Sequence, residues 1–289
     1  MALDGGKGAV TTKNQPLWPG QTDYTAEALT AAPKADGSGY WVLTFRPGTG
    51  NLIVFEFDAH GLVTGSAREY ALGTSVSRFD ARIGYGTLNF SRDYQKLLIM
   101  AGNHCTGTTA CSRERGLVRL VDFDNSTSTP TLRFEWNNAT NQLGTAAGDS
   151  NRGYSADFSP DEQYVYTSAL YPGRLFRYKI SGKSTSTQVK ASEEFIAITN
   201  SATASPAVYN GSGQVRRGPD GRMYVANYGH GAISVIRTPD AATAPTASLA
   251  QRQAAVGWVY NGQSLSAGTT SRYGLPQVVT RFVPQTYVY

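Results

Sequence analysis

Three short segments combine an arginine, a glycine and a tyrosine, and these residue types suit ligand binding. Arg-Ile-Gly-Tyr occupies residues 82–85, Arg-Gly-Tyr occupies 152–154, and Arg-Tyr-Gly at 272–274 is a permuted third copy. Tyrosine offers a rigid apolar ring with a polar tip, and arginine offers a fork of five donors. The alternative is structural, with arginines bonding backbone carbonyls and tyrosines packing between sheets. We predict ligand-binding side chains at Arg82, Tyr85, Arg152, Tyr154, Arg272 and Tyr273.

Paired carboxylates are the second chemistry to weigh, because glycosidases place an acid and a second carboxylate across a pocket. The candidates on or near strands that would face such a pocket are Glu27, Asp80, Asp149 and Asp157. Nothing in the sequence marks one pair above the others. We therefore predict no catalytic residue and keep a hydrolase of glycosidase or lactonase type as the alternative function.

Metal chemistry has one candidate segment, Asp122-x-Asp124-x-Ser126, which spaces oxygen ligands as at the start of a calcium loop. The segment lacks the glycine and the closing glutamate of an EF-hand. Its position after a strand favours a turn in which the aspartate bonds the backbone. We predict no cofactor and no metal, with calcium as the alternative.

The two cysteines, Cys105 and Cys111, are separated by five small residues. Such a loop can bring two sulfurs into bonding range, and disulfides persist in oxidising compartments. The first residues lack the apolar stretch of a signal peptide, so the chain is either cytoplasmic or the mature part of a longer secreted chain. A predicted Cys105–Cys111 disulfide favours a secreted or cell-surface location, whereas two free thiols favour the cytoplasm.

The composition excludes several classes of protein. The 289 residues carry 26 Lys+Arg against 21 Asp+Glu, a net charge of +5, and charged residues make up only 16%. An aromatic content of 11% is too high for a charge-driven disordered chain. The positive charge is dilute, and we interpret the Arg216-Arg217 pair as solvated surface charge, so we expect no nucleic-acid partner. No apolar stretch approaches ~18 residues, and we expect no membrane span.

Internal repeats organise the chain. Three segments each predict a strand, a Ser/Gly-x-Asp turn and a second strand, and a degenerate fourth copy precedes them. Pro, Asp and Gly are the residues that such turns favour. The turn aspartates, spaced by 57, 68 and 59 residues, are Asp36, Asp93, Asp161 and Asp220.

Further apolar strands follow each copy, and outer strands are predicted at residues 67–72, 131–136 and 194–198. Repeated four-stranded antiparallel units are typical of a β-propeller. We predict an all-β, single-domain propeller over residues 1–289, with five blades (six or seven as alternatives) closed by both termini. No segment shows a convincing helical period, and residues 250–255 are a candidate for one helical turn. The predicted blades are 27–72, 84–138, 152–198, 209–250, and 256–283 together with 8–20.

Residues 218–226 (GPDGRMYVA), 233–236 (ISVI) and 272–277 (RYGLPQ) resemble a WD/YVTN-like propeller module of secreted or cell-surface Bacteroidota proteins. Proteins of this kind are often cell-surface or gliding-associated proteins that are exported by type IX secretion. The resemblance touches nearly the whole chain, since residues 14–17 and 121–126 fit the same module. It implies an extracellular, modular and non-catalytic part of a larger protein, and it carries over no catalytic residues.

Together these features predict an extracellular binding or scaffold module that recognises a glycan or a protein partner through loops at the mouth of the propeller channel. Functional residues concentrate in such loops, which supports this expectation. The module would serve adhesion, joined to other domains of a larger parent chain. The alternatives are the propeller hydrolase and a cytoplasmic WD-like hub.

Overall fold

The computed structural model describes residues 16–22, 25–47, 49–73, 86–101, 116–137, 153–169, 173–198 and 211–276. These residues form four antiparallel sheets that follow one another along the chain. Sheet 1 contains β1 (Thr30–Pro33), β2 (Gly39–Phe45), β3 (Leu52–Asp58), β4 (Gly61–Leu62) and β5 (Arg68–Tyr70). Sheet 2 contains β6 (Gly86–Phe90), β7 (Lys96–Ala101), β8 (Leu117–Asp124) and β9 (Thr129–Asn137).

In sheet 2 and in the two sheets that follow it, each strand pairs with the strand before it in the chain, whereas in sheet 1 β5 pairs with β3. Sheet 3 contains β10 (Gly153–Phe158), β11 (Tyr164–Ala169), β12 (Arg174–Lys179) and β13 (Glu194–Ile198). Sheet 4 contains β14 (Ser212–Arg217), β15 (Met223–Asn227), β16 (Ala232–Ile236) and β17 (Trp258–Ser264). Sheets 2, 3 and 4 are therefore meanders, as the repeats predicted.

Both faces of the middle sheets are buried. On β7, Leu97 and Ile99 pack into the core between sheets 1 and 2, while Leu98 and Met100 pack into the core between sheets 2 and 3. A third core lies between sheets 3 and 4. Successive side chains of a strand point to opposite faces, so a strand buried on both sides must be apolar at nearly every position.

The first strands of the sheets lie side by side, since β10 packs against both β6 and β14, and β6 contacts β1. Sheets that pack face to face, with their first strands gathered at one edge, are β-propeller blades. The predicted all-β fold class is confirmed. The number of blades and the closure of the ring remain predictions, because the described residues contain four sheets.

Side chains join the first strands of sheets 2 and 3, which do not pair as a sheet. The Ala156 N–H donates to Thr87 Oγ1 at 3.1 Å, and Asn89 Nδ2 donates to the Ala156 carbonyl at 2.5 Å. Backbone groups on a free strand edge need such partners when they are buried.

The same two positions of the repeat join sheets 3 and 4. The Val215 N–H donates to Ser155 Oγ at 3.3 Å, and the Arg217 N–H donates to Asp157 Oδ2 at 2.9 Å. Short polar side chains at alternate positions of one strand thus satisfy the backbone of the next.

Arg217 lies on sheet 4 and contacts sheets 2 and 3. Its Nε lies 3.2 Å from Asp157 Oδ1, Nη1 lies 3.5 Å from Glu162 Oε1, and Nη2 donates to the Phe90 carbonyl. Arg216 and Arg217 are only 6% and 7% exposed, so the interpretation of this pair as solvated surface charge is wrong. Both lie on the inner strand of sheet 4, and a pair of adjacent residues alone does not reveal which strand is innermost.

The end of sheet 4 differs from the sequence expectation. The prediction ended the fourth blade at residue 250 and placed 256–283 in a fifth blade. In the structure β17 pairs with β16, with Ile236 opposite Trp258 and Ala232 opposite Ser264, so it is the outer strand of sheet 4. The connection before it is long, and it conceals that pairing in the sequence. A fifth blade remains a prediction for residues beyond 264.

Two short helices lie before the outer strands. The helix α1 (Ser186–Ala191) precedes β13, and α2 (Leu249–Val256) precedes β17. The sequence analysis missed α1, whose one buried residue, Val189, gives no period to read. It gave α2 a single turn, although Ser248 and Gln251 form a capping box that starts the helix.

Arg177 fixes the connection between β16 and α2 against sheet 3. Its guanidinium lies 2.8 Å from Glu194 Oε2 and donates to the carbonyls of Pro239, at 3.3 Å, and Ala241, at 2.8 Å. The Tyr166 hydroxyl also donates to the Pro239 carbonyl, at 2.7 Å. The arginine side chain is fully buried, so removing it leaves these acceptors without their donor.

We expect Arg177→Met to lower the free energy of unfolding by on the order of 3 kcal/mol, because it leaves buried acceptors without their donor. Arg133→Met is the matched control, since Arg133 and Asp122 form an ion pair that is 47% and 40% exposed. That variant should lose less than about 1 kcal/mol. Urea unfolding of both variants measures the difference, and equal losses would contradict a structural role for Arg177.

Asp161 and Asp240 bring two carboxyl groups together across sheets 3 and 4. The Asp161 N–H donates to Asp240 Oδ1 at 3.3 Å. Burial and the hydrogen bond with the Asp161 side chain raise the pKa of Asp240 to about 6. Burial tends to raise the pKa of Asp161 as well. Hydrogen bonds from Asp240 and from the Gln163 backbone outweigh that effect, so the pKa of Asp161 is lowered.

The folded protein therefore holds the Asp240 proton more tightly than the unfolded chain does. Stability from this group is complete below its ordinary pKa of 3.8 and is lost as the pH rises through about 6. We expect the melting temperature of the wild type to fall between pH 5 and about 7.5 relative to that of Asp240→Asn. Differential scanning calorimetry of both proteins measures this, and parallel pH profiles would contradict it.

Candidate functional site at the channel mouth

The inner strands border a cavity of about 530 Å³. This volume falls in the range of small-molecule sites. The lining comes from all four sheets: residues 27–31, Val42, residues 86–88, Tyr154, Gln214 and Arg216. We call this cavity, with the tyrosines beside it, the channel mouth.

Glu27 is the acidic residue of the cavity lining in the described chain. It accepts hydrogen bonds from the Gly86 backbone N–H and from the Tyr154 hydroxyl. Half-burial raises the pKa of Glu27, and these two hydrogen bonds oppose that rise. Burial and the nearby Glu27 raise the pKa of Tyr154, so its hydroxyl stays protonated as a donor.

Gly86 begins β6 with a positive φ of 153°. A Cβ at this position would lie 2.0 Å from the Met100 carbonyl oxygen. Only glycine fits where the two strands approach so closely, and the amide that bonds Glu27 is therefore fixed by the start of the sheet.

Three tyrosines meet beside the cavity. The rings of Tyr154 and Tyr273 have centroids 5.9 Å apart at 59°, and those of Tyr273 and Tyr228 stack at 4.5 Å and 19°. Arg272 lies over the Tyr228 ring at 5.3 Å and donates from Nη1 to its hydroxyl at 3.0 Å. Aromatic rings that pack on one another in this way form a rigid surface with polar edges.

The segment 271–275 carries Tyr273 across the start of β14. The Gln214 N–H donates to the Tyr273 carbonyl at 2.6 Å, and the Leu275 N–H donates to Gln214 Oε1 at 2.9 Å. A Cβ on Gly213 would lie 2.3 Å from the Tyr273 carbonyl oxygen. Glycine therefore permits this close approach of two backbones.

The structure brings together three of the six predicted binding residues: Tyr154, Arg272 and Tyr273. The others, Arg82, Tyr85 and Arg152, lie outside the described residues, as do the predicted disulfide partners Cys105 and Cys111. Tyr228 and Gln214 were missed, because only the path of the segment 271–275 makes them neighbours of Tyr273. Arg216 was seen in the sequence, but it was not assigned to the cavity.

The other candidate carboxylates do not join Glu27 in the cavity lining. Asp157 accepts from the Phe158 N–H at 2.8 Å and is bonded to Arg217, so it holds sheet 4. Asp80 and Asp149 lie outside the described residues. Within the described chain, the cavity therefore lacks the facing pair that glycoside hydrolysis uses.

The candidate calcium segment forms a turn. Asp124 Oδ1 accepts from the Ser126 N–H at 2.9 Å and from its hydroxyl, and Oδ2 accepts from Thr127. These hydrogen bonds lower the pKa of Asp124 to about 2. Asp122 pairs with Arg133 at 2.9 Å. Across the described ranges, no group of three His, Cys, Asp or Glu residues is arranged to bind a metal.

None of the helices in the described part of the chain has the length and apolar character needed to cross a membrane.

No family model and no curated protein matches the chain. One similar solved structure is the Swd1 β-propeller domain of Myceliophteria thermophila, with 13% identity and a TM-score of 0.42. The matched region covers 72% of this chain and 50% of the Swd1 chain. A second is virginiamycin B lyase from Staphylococcus aureus, with 13% identity and a TM-score of 0.42, and the match covers 74% of this chain and 53% of the lyase chain. A third is the periplasmic gluconolactonase of Pseudomonas aeruginosa, with 14% identity and a TM-score of 0.43, and the match covers 86% of this chain and 55% of the gluconolactonase chain.

The chain spans about half the length of these structures. At TM-scores of 0.42–0.43, the likeness adds no argument about function. The fold assignment rests on the sheets and on the arrangement of their first strands.

We expect Gly213→Ala to displace the segment 271–275, because the added methyl group meets the Tyr273 carbonyl oxygen. The cost should be about 1–3 kcal/mol, as for other overpacked sites. Gly274→Ala is the control, since a Cβ there meets no atom within 4 Å. Urea unfolding and limited proteolysis near residue 272 measure both effects. Identical behaviour of the two variants would contradict the close approach.

Proposed function

We propose that this propeller is an extracellular binding or scaffold module that binds a glycan at the channel mouth. The observation that carries the proposal is the surface of Tyr154, Tyr273 and Tyr228 beside a cavity lined with hydrogen-bonding groups. Sugar rings present an apolar face and polar edges, and a rigid aromatic surface next to donors and acceptors matches both.

A propeller hydrolase is the weaker candidate. Glu27 supplies one carboxylate to the cavity, whereas Asp157 is occupied by Arg217. A single acid that is hydrogen-bonded to Tyr154 and to the Gly86 backbone is better suited to orient a ligand than to split a glycosidic bond. Binding without turnover is therefore proposed.

The extracellular location is part of the same proposal. Its support is the spacing of Cys105 and Cys111, together with the resemblance to propeller modules of secreted Bacteroidota proteins. In that setting the domain would belong to a longer cell-surface chain and would serve adhesion, exported by the type IX route that the resemblance implies.

A glycan array with the wild-type chain tests the proposal. We expect Tyr154→Ala and Tyr273→Ala to weaken binding of each glycan hit about tenfold or more, because a central aromatic contact contributes over about 1 kcal/mol. Tyr40→Ala is the matched control, since Tyr40 is exposed and does not line the cavity. Tyr85→Ala tests the predicted contact outside the described residues.

Three results would contradict the proposal. The array could give no hit, which would favour a protein partner. The hits could bind both variants with unchanged affinity, which would move the site elsewhere. Chromatography could detect shortened sugars released from a bound oligosaccharide, and this result would favour the hydrolase.

A further inference from the structure

Arg216 is a buried cation that lines the channel mouth without an acidic partner. The residue is 6% exposed, and no ion pair joins it to an acid of the described chain. Its Nε donates to Gln214 Oε1 at a long 3.4 Å. Burial lowers the pKa of this guanidinium, which reflects the cost of holding its charge away from water.

The nearest acid to Arg216 is already occupied. Asp157 lies close enough to favour the charged form of Arg216. Both Asp157 oxygens are engaged, however, Oδ1 by Arg217 Nε and the Phe158 N–H and Oδ2 by the Arg217 N–H. The adjacent Arg217 adds a like charge, which disfavours the charged form of Arg216.

Glu27, the acid of the same cavity lining, does not compensate Arg216 either. Its carboxylate is bonded to the Gly86 amide and the Tyr154 hydroxyl, and no ion pair links it to Arg216. The cavity lining thus holds a cation that forms no direct ion pair, although an acid lies in the same lining. A buried charge without a partner is costly and usually has a ligand or a functional reason.

The repeat makes Arg216 an exception. The turn aspartates align Arg216 on β14 with Asn89 on β6 and Asp157 on β10. Those two residues bond the backbone of the next sheet. A long cation in this position can instead reach into the cavity that the strands enclose.

We propose that the ligand of the channel mouth carries a carboxylate, which Arg216 binds while the tyrosines contact the sugar ring. The ligand class is an acidic saccharide of the uronic acid type. The planar guanidinium pairs with a carboxylate through two parallel hydrogen bonds, a geometry that a neutral sugar does not offer. This inference rests on the proposed function and adds the charge of the ligand.

Side-chain ¹⁵N NMR of the full chain tests the inference. The Arg216 Nε–H resonance is assigned by its absence from Arg216→Lys, and it is titrated at constant ionic strength with acetate, D-glucuronate and methyl glucoside. We expect acetate and glucuronate to shift it and methyl glucoside to leave it in place. Glucuronate should bind Arg216→Lys about tenfold more weakly and Arg216→Gln not measurably, whereas Arg133→Gln binds as the wild type does.

The outcomes separate the two proposals. If acetate and glucuronate leave the Arg216 resonance unmoved, the anion subsite is wrong even where the array finds neutral glycans. If both shift it while the array gives no hit, the subsite stands and glycan recognition fails. Equal affinity of wild type and Arg216→Gln for glucuronate would also overturn the subsite.

Stability supplies a second readout. Removing an uncompensated buried charge should leave the unfolding midpoint of Arg216→Gln unchanged or raise it. Loss of binding in that variant then reports on the ligand. A clear fall of the midpoint, with no acetate shift in the wild type, would show that Arg216 is structural and would overturn the inference.

Discussion

The structure depends on how the free edges of the inner strands are satisfied. These strands carry backbone groups that no neighbouring strand pairs, and burial makes each unpaired group costly. Thr87 and Asn89 satisfy the next strand at Ala156, and Ser155 and Asp157 repeat the pattern one sheet later. A period of two places both side chains on the same side of the strand, so one short motif joins sheets 2 and 3 and also sheets 3 and 4.

That constraint also shapes the channel mouth. Positions that join neighbouring sheets carry short polar side chains, and a sheet that makes no such contact at a position can carry a different side chain there. Arg216 occupies such a position, and its charge meets the cavity instead of a backbone amide. Tyr154, the second residue of β10, likewise stands where the repeat has Gly86 on β6, and its ring meets Tyr273. Variation within the repeat, rather than the repeat itself, therefore supplies the chemistry.

The sequence predicted what is local and periodic. The turn aspartates bond nearby backbone as expected, for example Asp93 with the Gln95 N–H at 3.0 Å, and the outer strand predicted at 194–198 is β13. Prediction from the sequence failed where a contact joins residues that are distant in the chain. Neither the pairing of β17 with β16 across α2 nor the stacking of Tyr228 on Tyr273 leaves a mark in a short window of sequence. The interpretation of Arg216-Arg217 failed for the same reason, since burial there depends on strand order.

Arg217 has a mechanical consequence. Its guanidinium contacts the Phe90 carbonyl on sheet 2 and Asp157 and Glu162 on sheet 3, so one side chain of sheet 4 is tied to both of these sheets. Pulling one of these sheets outward strains contacts to the other two at the same time. Load applied at the edge is thereby shared among the blades, and they should yield together rather than peel away one by one.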